Sequence, residues 1–171
     1  MSVAVQTGYK GLVLAVHPTA RGFGWVLFES PLSPIDWGMA SAKQGRNARL
    51  ISRFERLLRR YEPAVLVLEE FEHGARRIDR VQRLCRSIIH LAACAGMETP
   101  VFSRAVVRTC FSSVGAATRY DIAQLVAQHV EPFRLWLPKK RKAWESENPR
   151  QSLFDAAALA MTYFAICGSP S

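Results

Sequence analysis

The apolar run Leu12-Val13-Leu14-Ala15-Val16 has no polar interruption until His17. Continuous apolar residues mark a strand buried on both faces, so residues 11–16 read as the first strand. Residues 17–22 contain Pro18 and Gly22 and read as a turn. Residues 23–28 alternate aromatic and small side chains and read as a second strand, pairing back as a hairpin. Pro31, Ser33 and Pro34 mark a loop before a short third strand at 37–42. The run Ala64-Val65-Leu66-Val67-Leu68 repeats the first pattern and ends in Glu69 and Glu70. It reads as a fourth strand, and residues 99–102 as a fifth.

Between the strands the period changes. Leu50, Ile51, Phe54, Leu57 and Leu58 recur at helical spacing, with Arg46, Arg49, Arg53, Arg56, Arg59 and Arg60 around them. That predicts an amphipathic helix over 47–61, closed by Glu62-Pro63. A second helix is predicted over 76–97, burying Ile78, Val81, Leu84, Cys85, Ile88, Ile89 and Ala92, with Gly96 as its stop. Ser103 and Thr118 are suitable caps for two further helices, reaching about Cys110 and Val130. Pro149 opens a last, strongly apolar helix to about Cys167. The order βββ-α-β-α-β-α-α-α implies an α/β chain with a mixed five-stranded sheet and helices on both faces. At 171 residues it is read as a single domain over 1–171. Residues 131–148 form an irregular basic insertion.

Charge narrows the partners. The chain carries 23 Lys and Arg against 14 Asp and Glu, a formal +9. Such an excess favours a polyanion, most simply DNA or RNA. The Lys139-Lys140-Arg141-Lys142 run lies between Trp136 and Trp144, a combination suited to phosphate contact and base stacking. Arg76, Arg77, Arg80, Arg83 and Arg86 are placed on the exposed side of the second helix. The four cysteines show no zinc-type spacing, and Cys85 and Cys94 read as small buried residues in a reducing compartment. Residues 1–10 look like a loose leader rather than a signal peptide. The apolar runs are too short to span a bilayer. A cytoplasmic or nucleoid-associated protein without membrane contact is expected.

The chemistry lies at the ends of the apolar runs. In mixed sheets, the functional crevice opens at the carboxyl ends of parallel strands, where His17 and Glu69 are placed. Asp155 stands near the start of the last helix, among Leu153, Phe154 and the run from Ala156 to Leu159. An acid on such a buried helix needs a partner. Carboxylates of this kind suit Mg²⁺ or Mn²⁺, while imidazole suits Mn²⁺ better than Mg²⁺. Glu70 and Glu72 are alternatives to Glu69, pointing to the opposite face. Glu145 or Glu147 could add a further acid. His73, His90 and His129 read as structural.

The segment His17-Pro18-Thr19-Ala20-Arg21-Gly22-Phe23-Gly24-Trp25 resembles the D-P-G-x-x-x-x-G-[YW] motif of the RuvC-type Holliday junction resolvases. Pro18, Arg21, Gly24 and Trp25 fit, whereas His17 replaces the metal-binding Asp and Thr19 the Gly. Val67-Leu68-Glu69 fits the second acid. Asp155-Ala156-Ala157-Ala158 fits the first acid of D-A-A-D, with Ala158 in place of the second. Val106 to Cys110, followed by Gly115-Ala116-Ala117-Thr118-Arg119, resembles the loop into the fourth helix, where a basic residue meets the scissile phosphate.

The resemblance spans about residues 11–166 and implies a ribonuclease H-like fold. It implies a metal-dependent endonuclease acting on branched DNA, with Glu69, Asp155 and His17 as catalytic and metal-binding residues and Mg²⁺ or Mn²⁺ as cofactor. Arg119, Arg21, Lys139, Lys140, Arg141 and Lys142 are the expected nucleic-acid contacts; a homodimer is implied, and the long helix from Arg76 is where its interface is to be sought. Loss of two acids favours a second reading, a catalytically lapsed nucleic-acid-binding module or a subunit of a DNA-processing complex. A small nuclease acting on ribosomal RNA precursors fits less well, because of the extra segment after Val130. An actin-like ATP-binding fold lacks its glycine-rich phosphate loops here.

Overall fold

The computed structural model describes residues 11–43, 47–70 and 78–168. Residues 1–10, Arg46, Glu72, His73, Arg76, Arg77 and the side chain of Ile78 lie outside the described residues. The elements are β1 (Val13–Pro18), β2 (Gly22–Ser30), β3 (Ser33–Ser41), α1 (Asn47–Tyr61), β4 (Val65–Glu69) and α2 (Ile78–Cys94). There follow β5 (Val101–Phe102), α3 (Arg104–Ser112), α4 (Arg119–His129), a 3₁₀ turn at Glu131–Trp136, and α5 (Gln151–Cys167). The sheet order is β3-β2-β1-β4-β5. β1 pairs antiparallel with β2 and parallel with β4, and β4 pairs parallel with β5.

Alternation along the strands divides the core in two. Val13, Ala15, Val65 and Val67 face α5, α4 and the 3₁₀ turn. Leu14, Val16, Leu66 and Leu68 face α1 and α2. Both faces of the sheet are therefore covered, as the apolar runs require. β1 and β4 align Ala15 with Val67 and Val16 with Leu68. The next residues along are His17 and Glu69. With a period of two, both fall on the α5 face.

Close approach of α5 to β2 depends on Gly24, which pairs with His17 across the hairpin. A Cβ on Gly24 would lie 2.4 Å from the carbonyl carbon of Ser152 and 2.5 Å from its oxygen. Only glycine lets the start of α5 lie against the sheet beside His17. The caps of α3 and α4 follow the sequence reading, whereas α5 begins at Gln151, two residues after Pro149. The Ser103 hydroxyl accepts from Val106 N, and Thr118 and Asp121 form a capping box. α2 ends before Gly96, which takes φ +72°.

Several local expectations change. His17 and Pro18 belong to β1, because the turn to β2 is tighter than predicted, closed by Thr19 and Gly22 bonding each other's backbone. β3 starts at Ser33, since an edge strand tolerates Pro34. Residues 131–136, read as irregular, form a 3₁₀ turn that buries Phe133. Ile89 and Cys94, predicted as buried, are exposed because α2 covers the sheet with a narrower stripe. Arg80, placed on the exposed side of α2, turns inward to Asn47 Oδ1 and the carbonyls of Ala20 and Lys43. No helix among the described residues is long and apolar enough to cross a membrane.

Candidate functional site

β1, β4 and α5 bring His17, Glu69 and Asp155 together. His17 Nδ1 lies 3.0 Å from Glu69 Oε2, and Nε2 lies 3.5 Å from Asp155 Oδ2. The side chains of all three are largely buried, the most open being Asp155 at 14 %. The Nδ1 approach is a close contact lacking hydrogen-bond alignment. An imidazole offers an N–H toward both acids only as the imidazolium.

Arginines close the rest of the cluster. Arg104 Nε donates to Glu69 Oε1 at 3.1 Å. Arg119 Nε donates to Asp155 Oδ1 at 3.0 Å, and its Nη2 to Oδ2. Gln151, one turn before Asp155, donates to Oδ1 at 3.2 Å. Arg119 Nη1 reaches Glu147 Oε1 at 2.7 Å. Burial pushes the Glu69 carboxyl up, but contact with His17 and then Arg104 outweighs it and leaves its pKa below the ordinary value. Burial works against charge on Arg119, yet Asp155 and Glu147 hold its pKa above the ordinary guanidinium value. On α2, burial and then the negative charge of Glu69 push the Cys85 thiol up to about 12. It is an inert, protonated neighbour of the site.

A cavity of about 60 Å³ opens over this floor, lined by His17, Glu69, Arg104, Arg108, Arg119 and Asp155 among others. One water needs roughly 10–15 Å³, so the cavity has room for a phosphate-sized anion. A wider groove of about 390 Å³ continues past Arg119 and Gln151 to Lys139, Lys140 and Arg141. Arg21 is exposed in the β1–β2 turn and lines neither cavity. Lys142 is held over Trp144, and Trp136 packs on the core under Arg150. Glu70 is exposed, and Glu145 accepts from Lys142 N within its own turn. His90 sits on an exposed face near Cys94 Sγ, and His129 is exposed.

Sequence reasoning missed Arg104 and Gln151. Both carry a helical signal. Arg104 and Arg108 are four apart on α3, and Gln151 and Asp155 four apart on α5, so each pair shares a face.

As arranged, these donors do not fit a divalent ion. Mg²⁺ needs oxygens in near-octahedral order at about 2.0–2.1 Å. Here both oxygens of each acid already face nitrogen donors. A metal-bound histidine turns one nitrogen to the ion and the other to a carboxylate, whereas His17 turns both to carboxylates. Among the described residues, no group of three His, Cys, Asp or Glu has the geometry of a metal site.

No protein-family profile matches the chain, and no curated protein matches it in sequence. Solved structures do match in fold. Thermus thermophilus RuvC in complex with a Holliday junction substrate aligns with a TM-score of 0.72 at 17 % identity, over 92 % of this chain and 95 % of that one. T. thermophilus RuvC in a second structure gives 0.68 at 17 % identity, over 92 % and 96 %. The fowlpox virus resolvase, in complex with Holliday junction DNA, gives 0.54 at 13 % identity, over 87 % and 97 %. The likeness establishes the architecture: this chain has the ribonuclease H-like fold of the RuvC resolvases.

Proposed function

We propose that this chain is a resolvase-like protein that recognises branched DNA, and that its buried cluster receives a backbone phosphate. The observation that carries this reading is the placement of three arginines, Arg104, Arg108 and Arg119, around one cavity at the carboxyl ends of β1 and β4. Arginine offers planar, paired donors matched to phosphate. The fold is that of proteins solved with Holliday junctions. The formal +9 and the lysine-bearing groove beside the cavity supply the long-range attraction.

In this reading, His17 takes the place between the acids that an ion would need, and the cluster acts as a charge-balanced floor. A second reading, phosphodiester hydrolysis with Mg²⁺ or Mn²⁺, is favoured by the convergence of His17, Glu69 and Asp155 in the crevice of a nuclease fold. It requires His17 to turn away and Arg119 to release Asp155. A homodimer suits a two-fold symmetric junction, and the exposed Ile89 on α2 marks the face to examine.

The experiment is to incubate the protein with four-way junctions in Mg²⁺ or Mn²⁺, beside Glu69→Gln, Asp155→Asn and His17→Asp. Tight binding without cleavage by the wild type supports the recognition reading. Cleavage that Glu69→Gln and Asp155→Asn abolish supports the hydrolytic one. Cleavage gained only in His17→Asp identifies that histidine as the reason the site is silent.

A further inference from the structure

Of the four tryptophans, Trp25 is buried, and Trp37 and Trp136 pack against the core. Trp144 stands 81 % exposed. Leaving so large an apolar ring in water gives up the burial that would stabilise it elsewhere. Its position is nevertheless built. Lys142 N donates to Glu145 Oε2 at 3.0 Å, and Glu145 N to the Lys142 carbonyl at 3.1 Å, so a closed turn presents the ring. The Lys142 ammonium lies 5.6 Å from its centroid.

The turn itself does not line the wide groove, but the chain enters and leaves it through residues that do. Arg141 and Glu147 both line that groove, and Trp144 is three residues from each, which is about 11 Å of chain at most. Lys139 and Lys140 line the same groove, and Arg119 lines both it and the arginine cavity. A positively charged groove flanked by an exposed aromatic ring matches the backbone and base of an unpaired strand. A fully paired duplex has no base face to offer there.

We infer that the groove carries the backbone of an unpaired strand leaving the arginine cavity, and that Trp144 stacks on one of its bases. This rests on the nucleic-acid reading above and adds the substrate class, DNA with a single-stranded segment beside the branch point.

The test uses tryptophan fluorescence and binding titrations with a short oligothymidylate and with the same strand made abasic. The variants are Trp144→Ala, Trp144→Phe and the double Lys139→Ala/Lys140→Ala. The expected result is quenching of the wild type by oligothymidylate but not by the abasic strand. Trp144→Ala should bind oligothymidylate about tenfold more weakly, Trp144→Phe should keep most of the affinity, and the abasic strand should not distinguish them. Because Trp144 is exposed, thermal unfolding should match the wild type. Equal binding of oligothymidylate by Trp144→Ala and wild type overturns the inference. So does an equal loss on the abasic strand, which would mean that the ring reads no base. If the lysine variant also binds unchanged, the nucleic-acid reading falls with it. If only the lysine variant weakens, stacking alone is refuted.

Discussion

Gly24→Ala tests how the site is assembled. The added Cβ would lie 2.4, 2.5 and 2.6 Å from Ser152 C, O and Oγ. Carbon contacts are comfortable at about 3.5–4.0 Å, so the start of α5 must retreat by roughly 1 Å. Two of the three obstructing atoms are backbone, and no rotamer change relieves them. Overpacking of this kind costs about 3 kcal/mol, the upper part of its usual range. Stiffening of the unfolded chain returns about 0.4–1 kcal/mol, leaving a net loss near 2 kcal/mol. For a chain of this size each kcal/mol moves Tm by about 2–4 °C, so a fall of about 4–8 °C is expected. The same retreat opens the 3.5 Å contact between His17 and Asp155, and junction affinity should fall with it. Circular dichroism melts and a junction titration measure both. A Tm and affinity equal to the wild type would refute the claim that Gly24 sets the distance between α5 and the sheet.

Other outcomes follow from the same contacts. Arg119→Ala leaves Asp155 without its main cation; with the arginine side chain 39 % exposed, the loss is discounted for solvent to about 1–2 kcal/mol, read by urea unfolding. Glu147→Gln releases one tie on Arg119 and should strengthen junction binding several-fold at low salt; weaker binding would contradict a role for Glu147 as a competitor of phosphate. Lys139→Ala/Lys140→Ala should reduce the slope of log affinity against log salt by about 2 if both lysines contact phosphate. Since the folded Glu69 carboxyl is shifted below its ordinary value, its stabilisation is present above the unfolded pKa and is lost as pH falls through the folded one. Tm should therefore drop more steeply in acid for the wild type than for Glu69→Gln, and parallel profiles would show that the carboxylate contributes nothing.

The fold was legible because each apolar run ended in a polar residue of clear consequence. His17 and Glu69 close the two parallel strands, and period-two alternation puts them on one face. Asp155 stood out as the lone acid in an apolar helix. The arginine partners were harder to find. Nothing local marks Arg104 as facing β4 or Arg119 as reaching α5, because those contacts depend on how α3 and α4 dock. The role of Gly24 was hidden for the same reason: the sequence pattern places it inside the second strand, whereas its use is a close approach by a helix that begins far away in sequence. Trp136 and Trp144 look alike beside one lysine run, and only tertiary packing separates the half-buried ring from the free one.

Affinity for a four-way junction in magnesium and in EDTA, at matched ionic strength and with the DNA examined for cleavage, tests the proposed phosphate-holding role of the cluster most directly. Equal affinity in both, an intact junction, and about a tenfold loss in Arg104→Ala, the size of one charge-assisted contact, are expected. A junction cut in magnesium by the wild type and left whole by Glu69→Gln and Asp155→Asn would contradict that role.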